Sequence, residues 1–179
     1  LASFIEKTSK QTRHDSTSNA LLLGVHSKAY VGLQTHGYRE QNMKINPYLI
    51  FNGDCKAAFT FYEQALPGQI EMMMTFGESP AREHFPADLH NLIIHTRLAV
   101  GDQAIMGSDT TPDRPTDDMS GCSVSLNVDS IAEAQRVFDA LSEDGKVQMP
   151  LEETFWAARF GMLVDRFGVS WMVNCEKDQ

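Results

Sequence analysis

The sequence has few cysteines, no long hydrophobic run and no excess of positive charge. Its three cysteines, Cys55, Cys122 and Cys175, are far apart and odd in number, so they form neither a CxxC motif nor a disulfide framework. We therefore expect a reducing cytoplasm. No apolar run approaches the roughly 18 residues of a membrane-spanning helix. With 15 Lys and Arg against 24 Asp and Glu, the net charge is −9. This charge argues against nucleic-acid binding, because phosphate contacts require clustered positive charge.

The first 42 residues differ in character from the rest of the chain. They contain five basic and three acidic side chains, and they show no sustained period of 2 or 3.6 residues. Their best apolar stretch, residues 20–25, is shorter than a signal-peptide core, which argues against export. Their three histidines (His14, His26 and His36) are too irregularly spaced for a metal site. We expect residues 1–42 to be an unstructured or non-native leader and residues 43–179 to form one domain.

Within residues 43–179, the same order of elements occurs twice. The first repeat, residues 43–109, predicts a strand, a helix and three strands at 45–51, 55–66, 70–76, 92–100 and 103–107. The second repeat, residues 120–176, predicts the same succession at 123–128, 131–141, 146–149, 160–164 and 170–174. The turn signals Asn52-Gly53-Asp54 and Asp129-Ser130 begin the two helices. The sequence therefore predicts an α+β fold built from two βαβββ repeats.

Four strands with one helix give a sheet that has one covered face and one free face. Two such sheets can enclose a cup between their free faces, within one chain or across a dimer. Alternation in the fifth strand assigns Ser123, Ser125 and Asn127 to the free face. In the eighth strand it assigns Met172 and the residues two positions away on either side to the same face. A sheet facing solvent would show the same alternation, so both interpretations stay open.

Four segments carry a family resemblance, one in the first predicted strand and three in the second half of the chain. They are PYLIFNG at 47–53, VSLNVD at 124–129, MPLEETFWAARFGM at 149–162 and DRFGVSWMVN at 165–174. With the duplication, they resemble the vicinal oxygen chelate superfamily, which includes glyoxalase I, extradiol dioxygenases and fosfomycin-resistance proteins. Within it, the resemblance is to the PhnB-like family, also labelled "3-demethylubiquinone-9 3-methyltransferase-like". The resemblance implies a glyoxalase-like fold, a homodimer and a small organic ligand in the cup.

The methyltransferase label makes a claim that the residues do not support. A methyl donor usually binds at a glycine-rich turn between a strand and a helix, and no GxGxxG motif opens a helix here. We therefore treat the literal 3-demethylubiquinone methyltransferase as the least favoured interpretation.

The resemblance also implies where a divalent metal would bind. Metal enzymes of the superfamily take one His, Gln or Glu from each of the first, fourth, fifth and eighth strands. The corresponding positions here are Pro47, Met106, Ser123 and Met172. None of these is an ordinary ligand of Zn²⁺, Mn²⁺, Fe²⁺ or Ni²⁺. The sequence therefore predicts no standard chelated metal and no other cofactor, with a metal held by unexpected ligands as the alternative.

His95 is the candidate catalytic residue. It lies in the third predicted strand, on the side opposite Thr96, and an offset of 67 residues aligns it with Met162. An imidazole titrates near neutral pH and can act as a general acid or base, although a hydrogen-bonded structural histidine is the common alternative. Arg97 shares its face and could hold a carboxylate or an enolate.

Other residues are candidates for contact with the ligand. Phe155 and Trp156 could form a lid over the cup or a dimer contact, and Asp109 is interpreted as a turn residue. The predicted ligand-contacting residues are Pro47, Leu49, His95, Arg97, Met106, Ser123, Ser125, Phe155, Trp156, Met162 and Met172. Two functions stay open: a metal-free small-molecule binding protein, or a lyase, isomerase or transferase of the glyoxalase-like kind that uses His95.

Overall fold

The computed structural model describes residues 43–117 and 119–177. Its strands and α-helices follow in the order β1 Tyr48–Phe51, α1 Cys55–Ala65, β2 Gln69–Thr75, β3 Ile93–Val100, β4 Gln103–Asp109, β5 Val124–Val128, α2 Ile131–Ser142, β6 Lys146–Glu152, β7 Ala157–Val164 and β8 Ser170–Glu176. Neither helix in this part of the chain is long and apolar enough to cross a membrane. The prediction for residues 1–42, with their histidines, lies outside the described residues.

The strands form two similar four-stranded mixed sheets, in the orders β1-β4-β3-β2 and β5-β8-β7-β6. In each sheet the first and last strands of the repeat pair in parallel, and the other neighbours pair antiparallel. The predicted α+β fold of two βαβββ repeats is confirmed.

The register of the hairpins corrects one detail of the repeat. Arg97 lies opposite Met106, and Met162 lies opposite Met172. Met106 and Met172 occupy equivalent places in β4 and β8. The residue opposite each one is therefore equivalent too, so the counterpart of Met162 is Arg97. The predicted alignment of Met162 with His95 is therefore wrong by two positions, because the turn between β7 and β8 is longer than the turn between β3 and β4.

Both helices pack on their own sheets through close contacts at glycines. A Cβ atom added to Gly107 would lie 2.6 Å from the ring of Phe59, and one added to Gly161 would lie 2.6 Å from the ring of Phe138. The two helices also contact each other, and their buried side chains belong to one continuous core. Both sheets therefore turn their covered faces towards this shared core, and their free faces point away from it.

Asp109 is a buried anchor, so its interpretation as a turn residue is wrong. Its Oδ1 accepts hydrogen bonds from the backbone N–H groups of Gly53 and Cys55, and its Oδ2 accepts one from Ile93. Because Asp109 ends β4 beside the start of α1, its carboxylate satisfies amides that the helix leaves unpaired. The side chain thereby joins α1 to the sheet.

Candidate functional site

The first sheet presents four candidate side chains on its free face. Tyr48 lies beside Met106 in the parallel register of β1 and β4, and Met106 lies opposite Arg97 in the antiparallel register of β4 and β3. His95 is two residues from Arg97 along β3 and therefore shares its face. We call Tyr48, His95, Arg97 and Met106 the first free face.

Tyr48 and His95 form a hydrogen-bonded pair on this face. The hydroxyl oxygen of Tyr48 lies 3.1 Å from Nδ1 of His95, and the two rings stack with their centroids 5.7 Å apart. The contact uses one ring nitrogen and orients the imidazole. Nε2 of His95 has no hydrogen-bond partner among the described residues, so it is the nitrogen that a bound molecule would meet.

Arg97 is held from one side by an acidic neighbour. Its Nε donates a 2.7 Å hydrogen bond to Oε2 of Glu71. The terminal nitrogens of the guanidinium make no hydrogen bond within residues 43–117 and 119–177. These two nitrogens present parallel N–H groups, which suit a carboxylate or an enolate oxygen.

The first strand has the opposite phase to the one predicted from sequence. Leu49 is only 7% exposed and lies in the core, whereas Tyr48 is 46% exposed and lies on the free face. The prediction of Leu49 as a ligand contact is therefore wrong, because Leu49 and Phe51 pack towards α1. Pro47 is exposed just before β1, and its carbonyl oxygen accepts a hydrogen bond from the N–H of Met106. Tyr48 was missed because neighbouring apolar residues in this strand fit either phase.

The second sheet brings its predicted residues together on its own free face. Ser125 lies beside Met172 in the register of β5 and β8, and Met162 lies opposite Met172. Ser123, just before β5, shares a 2.8 Å hydrogen bond with Ser170. Asn174 donates a 3.0 Å hydrogen bond to Asn127. The second free face is thus defined by Ser125, Asn127, Met162, Met172 and Asn174.

The aromatic pair in the β6–β7 connection lies next to this second free face. Phe155 is 90% exposed and Trp156 is 50% exposed, and their ring centroids are 4.5 Å apart. Trp156 also packs on Phe160, which lies opposite Asn174 in the sheet. Two large exposed aromatic rings are typical of a surface that another molecule covers.

The two sheets turn their free faces away from the core that they share. No hydrogen bond or aromatic contact among the described residues joins a side chain of the first free face to one of the second. A cleft of about 730 Å³ lies between the β3–β4 turn, β5 and the start of α2, and Ser125 and Asn127 of the second free face are among the residues that line it.

The positions at which the superfamily would bind a metal do not present suitable ligands. In the register, Tyr48 rather than Pro47 lies beside Met106, and Ser125 rather than Ser123 lies beside Met172. These four strand positions supply two thioethers, a phenol and a hydroxyl. Zn²⁺, Mn²⁺ and Fe²⁺ prefer imidazole and carboxylate ligands. Across the described residues, no group of three or more His, Cys, Asp or Glu side chains is arranged to hold a metal ion. The donor set does not fit the chelated ion of the superfamily.

Comparison with known proteins supports the resemblance. A family model described as "3-demethylubiquinone-9 3-methyltransferase" matches residues 43–174. Protein YjdN of Escherichia coli (strain K12) is 34% identical over 145 residues, which cover 76% of this chain and 98% of that protein.

Solved structures show the same fold. The crystal structure of protein PA1353 from Pseudomonas aeruginosa is 58% identical, has a TM-score of 0.71, and is matched over 76% of this chain and 99% of that one. A glyoxalase family protein from Bacillus cereus, only 15% identical, has a TM-score of 0.56 over 79% of this chain and 99% of that one. The predicted family resemblance and the glyoxalase-like fold are confirmed.

Proposed function

This chain belongs to the family described as 3-demethylubiquinone-9 3-methyltransferase, and from that premise we propose that residues 43–179 bind a small organic molecule. The ligand carries a carboxylate or an enolate oxygen and lies against the first free face. The observation that supports this most directly is that His95 and Arg97 share one face, each with nitrogens that no described residue uses. A cytoplasmic location agrees with the three free thiols.

The chemistry of the two side chains suits an anionic oxygen. Arg97 offers two terminal nitrogens, and its guanidinium is already oriented through the bond from Nε to Glu71. His95 is oriented by Tyr48, so its Nε2 is presented at a fixed angle. Preorganised donors lower the entropy cost of binding. Met106, between Tyr48 and Arg97 in the register, supplies an adaptable apolar surface for the rest of the ligand.

We propose that a second copy of the chain closes the site. Tyr48 of the first free face is exposed, as is Ile50 two residues further along β1. The exposed rings of Phe155 and Trp156 border the second free face. In a twofold dimer, the first free face of one chain meets the second free face of its partner, and two equal cups form. The aromatic pair then covers the ligand that the first free face holds.

The cup works without the chelated metal of the superfamily in this proposal. Met106 and Met172 occupy positions where that metal would need imidazole or carboxylate ligands. The named activity of the family is also not carried over, since the described residues contain no glycine-rich turn between a strand and a helix of the kind that binds a methyl donor.

An enzymatic function is the second candidate, and the Tyr48–His95 contact favours it. When Nδ1–H of His95 donates to the Tyr48 oxygen, Nε2 keeps a free electron pair and can act as a base. Nε2 would take a proton from carbon next to a carbonyl group. The electrons of the broken C–H bond would form the C=C bond of an enolate, and Arg97 would hold the negative oxygen. This step is typical of the lyases and isomerases that the family resemblance implies.

Pyruvate is a suitable probe, because it carries a carboxylate and a ketone that can enolise. NMR titration of the full chain with pyruvate should shift amides of β3 and β4, and Arg97→Gln should weaken binding about tenfold. Arg114→Gln, which removes an exposed arginine elsewhere, is the matched control and should not change binding. An unchanged affinity in Arg97→Gln would contradict the proposal.

The same samples separate binding from catalysis. In D₂O, a protein that enolises pyruvate exchanges the methyl protons for deuterium, and His95→Ala should abolish that exchange. Saturable binding with no exchange above the buffer rate would support the binding protein and eliminate the enolising enzyme.

A further inference from the structure

The cleft of about 730 Å³ lies where the two halves of the chain meet, away from the first free face but lined in part by Ser125 and Asn127 of the second free face. It is bounded by the end of α1, the β3–β4 turn, the β5 strand and the first turns of α2. Its floor is apolar, formed by Leu66, Val100, Leu126 and Val137. Asp102 and Asp129 lie at its rim, and neither carboxylate forms an ion pair with a described residue. The volume falls within the range of small-molecule sites.

The other half of the molecule shows what fills the equivalent place. There the β7–β8 turn packs on α1, with the ring of Phe167 5.8 Å from that of Phe61. The guanidinium of Arg166 lies 4.3 Å from the centroid of the Phe61 ring and donates to Glu143 and Asp144. An aromatic ring and a cation, supplied by the chain itself, therefore occupy this position.

The difference between the halves comes from turn length and side-chain size. The β7–β8 turn spans residues 165–169, whereas the β3–β4 turn has only Gly101 and Asp102 between its strands. When the helices are aligned at their first residues, which follow Asp54 and Ser130, the buried Tyr62 matches the buried Phe138 and Phe61 matches the smaller Val137. The equivalent place beside α2 therefore has no counterpart of the Phe167 ring, the Arg166 cation or the Phe61 ring, and the cleft is left open.

We propose that this cleft binds an organic cation that carries an aromatic ring. The ring lies on the apolar floor at Val137, in the place that Phe167 takes in the other half. The cationic group reaches the rim, where Asp102 and Asp129 supply negative charge. Glu133 also lines the cleft, but its carboxylate is already paired with Arg136 at 2.6 Å. The site does not use the first free face, where the proposed function places the anionic ligand, although Ser125 and Asn127 belong to the second free face.

Phenethylamine tests the proposal against two comparison compounds. 2-Phenylethanol keeps the ring and lacks the charge, and butylamine keeps the charge and lacks the ring. NMR titration of the full chain should show saturable shifts in β5 and the start of α2 with phenethylamine, at a roughly millimolar dissociation constant. Both comparison compounds should bind at least about threefold more weakly than phenethylamine. Asp102→Asn and Asp129→Asn should each weaken phenethylamine about threefold. The control Asp113→Asn removes an exposed carboxylate outside the cleft and should change nothing.

Filling the cleft gives an independent check. Gln103 is an exposed residue of the lining, so Gln103→Trp should leave the fold intact, as the amide spectrum will show, and should reduce phenethylamine binding at least about tenfold. Pyruvate binding at the first free face should be the same in all of these variants, so failure of one proposal is distinguishable from failure of the other. Unchanged phenethylamine affinity in Gln103→Trp, or shifts confined to the first free face, would overturn this inference.

Discussion

The hydroxyl group of Tyr62 in α1 donates a 2.8 Å hydrogen bond to Oδ2 of Asp165, in the turn between β7 and β8. The bond joins the two halves of the chain. The same oxygen accepts a hydrogen bond from the indole N–H of Trp171, and Oδ1 accepts from the backbone N–H groups of Phe167 and Val169. Asp165 is 4% exposed, so this carboxylate is stabilised in the core by four N–H and O–H donors.

Loss of the Tyr62 hydroxyl should destabilise the fold. Tyr62→Phe leaves Asp165 with one donor fewer, and we expect the free energy of unfolding to fall by about 2 kcal/mol. Asp165→Asn should cost about 3 kcal/mol or more, because an amide would present N–H groups to other donors. Urea unfolding measures both. Tyr48→Phe, at an exposed tyrosine, should cost less than about 0.5 kcal/mol, and equal losses at Tyr48 and Tyr62 would contradict this account.

Stability should also fall at alkaline pH. Burial raises the pKa of Cys55 above its ordinary 9.0, and the charge of Asp109 adds to this. Burial raises the pKa of Tyr62 above its ordinary 10.0, with the negative charge of Asp165 as the next cause. Above these ordinary values the unfolded chain loses protons that the folded chain keeps, so the free energy of unfolding falls as pH rises.

The two groups can be separated by substitution. Each contributes a slope of about 1.4 kcal/mol per pH unit once its unfolded form ionises. Cys55→Ala should remove the fall in the free energy of unfolding that begins near pH 9. Tyr62→Phe should remove the fall that begins near pH 10. Urea unfolding between about pH 8 and 11 gives the slopes. Parallel curves for wild type and both variants would show that other groups are responsible.

Tyr48→Phe should change the state of His95 without harming the fold. Without the hydroxyl, Nδ1 loses its partner and the imidazole is free to exchange between its two neutral tautomers. ¹⁵N NMR of the imidazole nitrogens should show averaged shifts for His95 in this variant. His90, whose Nε2 lies 3.0 Å from the Phe85 carbonyl oxygen, is the internal control and should keep its shifts. A His95 spectrum identical to wild type would show that Tyr48 does not orient the ring.

Removal of the exposed aromatic pair should weaken the proposed dimer. Phe155→Ala combined with Trp156→Ala deletes two large rings that the partner would cover, and we expect the dissociation constant of the dimer to rise at least about tenfold. Sedimentation equilibrium provides the measurement. Ile131→Ala removes another exposed apolar side chain, at the start of α2, and should leave the dimer intact. A monomeric wild-type chain at micromolar concentration would contradict the proposal.

The fold was predictable because its signals are local and occur twice. Helical spacing in α1 and α2 and the polar–apolar alternation of β5 gave the order of elements within a few residues. The phase of β1 was not predictable, since Tyr48, Leu49, Ile50 and Phe51 are all apolar enough for either face. What decides it is the packing of Leu49 and Phe51 towards α1, which is a tertiary contact.

Two features of the structure had no sequence signal at all. Asp109 resembles any polar residue after a strand, and only the fold places it under the start of α1. The cleft beside Val137 depends on how long the β3–β4 turn is relative to its counterpart and on how the halves pack. By contrast, the sequence placed Arg97 on the face of His95, and the register of β3 with β2 agrees, because alternation along a strand is reliable.

The most direct test of the proposed binding function is the ¹⁵N NMR spectrum of the imidazole nitrogens during titration with pyruvate. The proposal predicts that Nε2 of His95 shifts saturably, that the His84 and His90 signals stay in place, and that Arg97→Gln moves the curve to higher concentration. Amide shifts elsewhere with an unchanged His95 signal would contradict it, because pyruvate would then bind away from the first free face.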